Sequence, residues 1–380
     1  MTTTLYGRAF VGGELRDRTS IVIQDDQILT VRDGLIPVGD VIEVSGVTVP
    51  GFIDIHVHGG EGADFMDAAD EAVARVSTFH ARHGTTALAA TTLSGSREAV
   101  HDAVSSIARV AQMRLENAAE ICGIHLEGPY INANRAGAQN VASIRAADIH
   151  EVAALLALAP GLRWILTLAP ELEGARGLIE HFRDRVTFSI GHTAADYSET
   201  AAALEWGASH FTHLFNAMTG VHHREPGAVG AALVSPDATA ELIADGVHVH
   251  PAVLRIAATA MSRRIALVTD AVRAAGMPEG TYKLYEHEFS VKGGVARLGD
   301  GTLAGSVLTM QRAVQNMVEL AGIPFDMVIP LATEVPARLL GVSDRKGKIA
   351  SGYDADLVVL SPRFEVERVF VRGHELGNDR

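Results

Sequence analysis

Cysteine is almost missing from this chain. Cys122 is the single one in 380 residues, so no intrachain disulfide can form and a reducing compartment is expected. It falls inside the apolar run ICGIHLEG, which reads as a buried, inert thiol. A basic excess is missing too. The chain has 32 Lys and Arg against 46 Asp and Glu, a net charge of -14. Nucleic acid and anionic membranes are therefore not expected partners, since both need a basic stripe. An anionic small substrate stays compatible, because a local Arg or His pocket overrides the global sign. No run approaches the ~20 apolar residues of a membrane helix. The opening MTTTLYGRAF lacks a basic segment followed by an apolar one, so no secretory signal is expected and the cytoplasm is the expected location. Internal repeats and low-complexity segments are absent as well.

What is present is globular: 47% hydrophobic and 21% charged residues. At this length one large domain with a smaller module is expected. Residues 1–48 hold short alternating runs (IVIQ, QILTV, VIEVSGVTV) broken by Gly and Asp, which predict antiparallel strands. DADLVVLSP and EVERVFVRG, within 345–380, do the same. Neither segment buries a core alone, so the two are expected to pair into one small β-sandwich. Between them, 49–344 alternates strand-like runs with Ala-rich helical stretches such as REAVHDAVSSIARVAQMRL. Eight runs count as strands: VTVPGFIDIHVH, TTALAATT, ICGIHLEG, LRWILTLAPE, RVTFSIGHT, SHFTHLFNAM, AELIADGVHVH and RIALVTDAV. The fold class predicted is α/β, a (β/α)8 TIM-type barrel with a small β-sandwich built from both termini. Residues 281–301 break the rhythm and predict a hairpin near the rim.

Six metal-ligand residue types close five of those runs: His56, His58, Glu127, His192, His213 and Asp270. Apolar strands ending in polar ligand types are how parallel barrel strands deliver chemistry to one rim. His56 and His58 are two apart on a strand, so both point to one face. Each His alone reads as a structural residue; the set at strand ends reads as a divalent metal site of one or two ions. Imidazole and carboxylate suit Zn2+ first, with Fe2+, Mn2+ or Co2+ as alternatives. Amide hydrolysis needs a polarised carbonyl, an activated water and a proton for the departing amine. The metal supplies the first two, and Asp270 can take the water's proton and hand it on.

The HVHG after a PGFID turn, the single His on strands five and six, the Asp on strand eight and the closing KGKIASGYDADLVVL resemble the amidohydrolase superfamily. Within it, HLEGPY, GHTAAD, THLFNAM, REPGAVG, ADGVHV, VTDAV and TLAGS look like the N-acetylglucosamine-6-phosphate deacetylases. The resemblance spans essentially the whole chain. It implies removal of acetate from N-acetylglucosamine 6-phosphate, and a homodimer in which Arg224 crosses into the neighbouring subunit's site. It also implies substrate contacts from Asn216, Ala217, Arg224 and His248, and from Leu303, Ala304 and Gly305 through the loop backbone. Ala138 and Gln139 occupy a stretch where some family members carry His; Gln donates a hydrogen bond but carries no charge. The galactosamine epimer, another amidohydrolase reaction and a non-catalytic scaffold are the alternatives. A scaffold would be expected to have lost ligands, whereas every ligand position here is filled.

Overall fold

The computed structural model describes residues 2–377. Eight parallel strands form one sheet in chain order: Phe52–Val57, Thr85–Thr92, Glu120–Glu127, Arg163–Leu168, Val186–Ile190, His210–Phe211, Thr239–Ile243 and Ile265–Val268. All are buried almost throughout, which is why they read as continuous apolar runs and not as alternating ones. The eighth strand returns to the first. The Asp270 amide donates to the His56 carbonyl at 2.8 Å and the His58 amide to the Ala271 carbonyl at 2.9 Å. Below them, the Asp54 carboxylate accepts from the backbone and hydroxyl of Thr269. The barrel is thus nearly closed, and its seam passes three of the six strand-end residues, His56, His58 and Asp270.

Helices cover the outside. Arg97–Met113 starts on Ser96, whose hydroxyl accepts from the Ala99 amide, and buries Val100, Val104 and Ile107 at helical spacing. Tyr197–Trp206 opens on a reciprocal Asp196 and Glu199 cap. No described helix is long and apolar enough to cross a membrane.

The two terminal segments meet in one seven-stranded sheet. Its order is His374–Glu375, Val366–Val371, Leu357–Leu360, Asp40–Pro50, Thr2–Val11, Glu14–Gln24, Gln27–Asp33. The Thr2–Val11 and Asp40–Pro50 pairing is parallel. Side chains alternate between two apolar layers. Leu5, Ile21, Ile23, Leu357 and Phe370 form the sheet's own core, while Phe10, Val49, Val358 and Val369 join that of the barrel. A buried ionic knot also ties the sheet to the barrel. Lys346 Nζ lies 2.5 Å from Asp356, 2.9 Å from Asp354 and 3.0 Å from Glu120 at the base of the third barrel strand. Arg345 reaches Glu120 and Asp354 from the same side. Cys122 is buried beside this knot, and burial pushes its thiol up to about 12, the inert state expected of it.

The 280–298 region is a three-stranded antiparallel sheet, Gly280–Leu284, His287–Lys292 and Val295–Leu298. It leaves the barrel after strand eight.

Candidate metal centre and substrate cavity

All six strand-end residues converge. His192 Nε2 and His213 Nε2 stand 3.0 Å apart, and each is 3.0 Å from Glu127 Oε1. On the other side of the same carboxylate, Oε2 is 3.3 Å from His58 Nε2, which is 3.2 Å from His56 Nε2. Asp270 Oδ1 lies 3.2 Å from His58 Nε2 and 3.7 Å from His56 Nε2. His56 is wholly buried and Asp270, at 8% exposure, is the most accessible of the six.

The donor set fits divalent cations. His192 Nδ1 is 2.8 Å from the Arg135 carbonyl. A carbonyl only accepts, so the neutral ring carries its proton on Nδ1 and turns the Nε2 lone pair inward. The Nε2 atoms of His192 and His213 and a carboxylate oxygen, all 3.0 Å apart, are spaced close to the edge of a tetrahedron with ~2.0–2.1 Å metal–nitrogen bonds, about 3.3 Å. Residues Glu127, His192 and His213 make one such trio, and His56, His58 and Glu127 a second. Glu127 belongs to both. A third trio, His56, His125 and Glu241, also gathers three ligand types but is chemically committed elsewhere. His125 Nδ1 faces the Ile55 carbonyl at 3.0 Å and Nε2 the Thr167 hydroxyl at 2.7 Å, which leaves no lone pair for an ion.

Electrostatics follows the same geometry. Burial pushes the Glu127 and Asp270 carboxyls up, but the facing imidazoles reverse this and hold both below the usual carboxylate range. Both are therefore ionised at neutral pH.

The backbone is strained where these side chains are presented. His192, His213 and Asp270 have φ of 47°, 30° and 48°, and Ala217 has 53°. Non-glycine residues rarely occupy this region, at a cost of ~1–3 kcal/mol each, and they cluster at sites where a strand end must turn a side chain to a fixed point.

Above the carboxylates opens a cavity of 330 Å³. His58, Glu127, His192, His213 and Asp270 form its floor, and Ala138, Gln139, Asn216, Ala217, His248, Leu303 and Gly305 lie on its walls. Gln139 also touches the floor: its amide nitrogen donates to Glu127 Oε2. His248 Nδ1 is 2.6 Å from Asp245 Oδ2; burial pushes this imidazole down, but the carboxylate outweighs it and raises its pKa. Ala304 lies behind the wall, fully buried, its amide donating to the Ala296 carbonyl. Arg224 is outside this cavity. It is exposed on the loop after strand six, Nη1 2.8 Å from His223 Nε2.

Residues 47–376 match the amidohydrolase family. The chain belongs to that family. Its amidohydrolase relatives include the N-acetylgalactosamine-6-phosphate deacetylase of Escherichia coli O157:H7, 40% identical over 92% of this chain and 94% of that one. The N-acetylglucosamine-6-phosphate deacetylase of Bacillus subtilis is 41% identical over 86% of this chain and 84% of its own. Among solved amidohydrolase structures, the N-acetyl-D-glucosamine-6-phosphate deacetylase of Mycobacterium smegmatis, in complex with N-acetyl-D-glucosamine-6-phosphate, superimposes with a TM-score of 0.92. It is 35% identical, with 99% of each chain covered.

Several residues of the site carry little or no sequence signal. Glu241 on the seventh strand is wholly buried against His56 and His210. Leu284 of the three-stranded excursion, with Leu93, Asn134 and Thr302, also lines the cavity. Only the acid inside the apolar run ELIAD hinted at Glu241, and such an acid is ordinarily read as a solvent-facing strand residue.

Proposed function

We propose that this amidohydrolase removes the acetyl group of an N-acetylhexosamine 6-phosphate, with N-acetylglucosamine 6-phosphate as the substrate and glucosamine 6-phosphate and acetate as products. The observation that carries this reading is the convergence of His192, His213 and Glu127 at 3.0 Å, with Asp270 facing the same small-molecule cavity. The names of the relatives support the phosphorylated substrate.

Glu127, His192 and His213 would hold one divalent ion, Zn2+ in our reading, and His56, His58 and Glu127 a second. Such an ion supplies Lewis acidity toward the amide carbonyl and lowers the pKa of water. Asp270 starts ionised and takes the proton of the attacking water; the same carboxyl, now an acid, delivers it to the amine nitrogen as the C–N bond breaks. His248, whose pKa Asp245 raises, and Arg224 of a partner subunit in a homodimer would meet the phosphate; a guanidinium fits its oxygens as a fork. Asn216, Ala217, Leu303, Gly305 and the Gln139 amide would orient the sugar and the acetyl group. Residues 1–48 with 345–380 form the supporting unit in this scheme, and 49–344 the catalytic one.

The test is acetate release from the 6-phosphates of N-acetylglucosamine and N-acetylgalactosamine and from their unphosphorylated forms, before and after chelation and metal return. Activity on the glucosamine 6-phosphate that disappears with the metal and returns with it is expected. A tenfold preference for the galactosamine epimer would reassign the substrate; full activity in verified metal-free protein would overturn the metal role.

A further inference from the structure

Among the described residues, Glu241 is a buried carboxylate whose ion-pair partners are all His, with no Lys or Arg among them. It lies beneath the site on the seventh strand, and its side chain has no exposure. Taking an ionised carboxylate out of water is costly unless donors replace the water. Two of its donors, His56 and His213, belong to the candidate ion trios. Oε2 accepts from the His213 backbone amide at 3.0 Å and is 2.8 Å from His56 Nδ1. Oε1 is 3.3 Å from His210 Nε2, while the Glu241 carbonyl accepts from the Leu214 amide at 2.9 Å. No contact to the cavity is made, so this residue does not touch substrate.

We infer that Glu241 is a positioning residue that couples the two ion positions through a single oxygen. Its Oε2 keeps a proton on His56 Nδ1, which turns the Nε2 lone pair toward His58 and Glu127. The same oxygen fastens the His213 amide at a backbone angle, φ 30°, that the chain would otherwise leave. One side chain on strand seven thereby sets a ring on strand one and a strained turn after strand six. Carboxylates that hold a ligating imidazole this way are worth ~10–100-fold in metal affinity. This inference rests on the two-ion reading above.

Glu241→Gln and Glu241→Leu separate the two effects. Glutamine can keep an acceptor oxygen for both His56 and His213 but removes the charge. It is expected to weaken the ion at His56 and His58 by ~10–100-fold and to leave the ion at Glu127, His192 and His213 within about threefold. Leucine removes both anchors, and both ions should be lost. Metal titration of chelator-stripped protein, read as stoichiometry and affinity, gives these numbers without substrate. In parallel, 15N spectra of the imidazoles in the wild-type protein should show a proton on His56 Nδ1. Wild-type affinity at both positions in Glu241→Gln would overturn the proposal, and so would a His56 Nδ1 without a proton. The second measurement decides alone if the variants do not fold. A wild-type protein that binds no divalent ion sinks the metal reading, while the His56 proton still decides the role of Glu241.

Discussion

Gln139 holds Glu127. Its side-chain nitrogen donates to Glu127 Oε2 at 2.5 Å, and its oxygen accepts from the Ser94 amide at 2.7 Å, which fixes which end of the amide faces the carboxylate. A residue expected to face the sugar thus also anchors the carboxylate shared by both trios. Gln139→Ala takes the amide donor from the buried Glu127 Oε2 and leaves it the His58 ring at 3.3 Å, a loss of ~1.5–3 kcal/mol for a bond to a charged group. We expect metal affinity to fall by about 10–100-fold, measured by titration. A change confined to KM, with metal affinity intact, would restrict Gln139 to substrate contact.

Asp270→Asn is nearly isosteric and should keep the fold and the ion at Glu127, His192 and His213. It cannot accept the proton of water. One group serving both as base and as acid is expected to cost at or beyond the upper end of ~10²–10⁴-fold in kcat. A kcat within about threefold of wild type, with metal content matched, would remove Asp270 from the chemistry.

Much of this site could be read before any coordinates. His56, His58, Glu127, His192, His213 and Asp270 stood out because each closes an apolar run, and the ends of buried parallel strands are where a barrel gathers its chemistry. Glu241 did not stand out, since its role depends on which rings two other strands bring to it. The run SHFTHLFNAM suggested a long sixth strand, yet only His210–Phe211 pairs as one. Left-handed φ at His213, Phe215 and Ala217 breaks the extension, and those angles are imposed by what the side chains must reach. Strands at the two termini were legible; the parallel pairing of Thr2–Val11 with Asp40–Pro50 was not, because period-two patterns do not encode strand direction.

The ionic knot at Lys346 makes stability depend on pH. Burial pushes the Glu120 carboxyl up, but Arg345 and Lys346 outweigh it and hold it at about 2. Its folded pKa is below the ordinary 4.5, so its contribution is complete above that value and is lost as pH falls toward 2. Glu120→Gln should melt below wild type at pH 7, and the gap should narrow on acidification through pH 4 to 3. A gap independent of pH would show that the charge contributes nothing. Lys346→Met leaves the buried Asp356 without its cation, while Glu120 and Asp354 keep Arg345, and should cost about 3–5 kcal/mol in denaturant unfolding.

Arg224 provides the test of assembly. If it serves the neighbouring subunit, Arg224→Ala and Asp270→Asn proteins are each nearly inactive at low substrate. Mixed and reassociated, about half of the dimers carry one site with both native residues, and recovery of about a quarter of wild-type activity is expected from two-fold symmetry. No recovery, with subunit exchange verified by mass, would place Arg224 in its own chain's site or outside any.

The strand Asp40–Pro50 is hydrogen-bonded along one edge to Thr2–Val11 and along the other to Leu357–Leu360. During synthesis that second edge waits for some three hundred residues, the whole barrel among them. Pairing over such a separation is slow, and an edge that waits is open to the wrong neighbour. Completion of this sheet is therefore the last event the ribosome permits. A chain released before Leu357 would present the unpaired edge of Asp40–Pro50 to whatever quality control the cell provides.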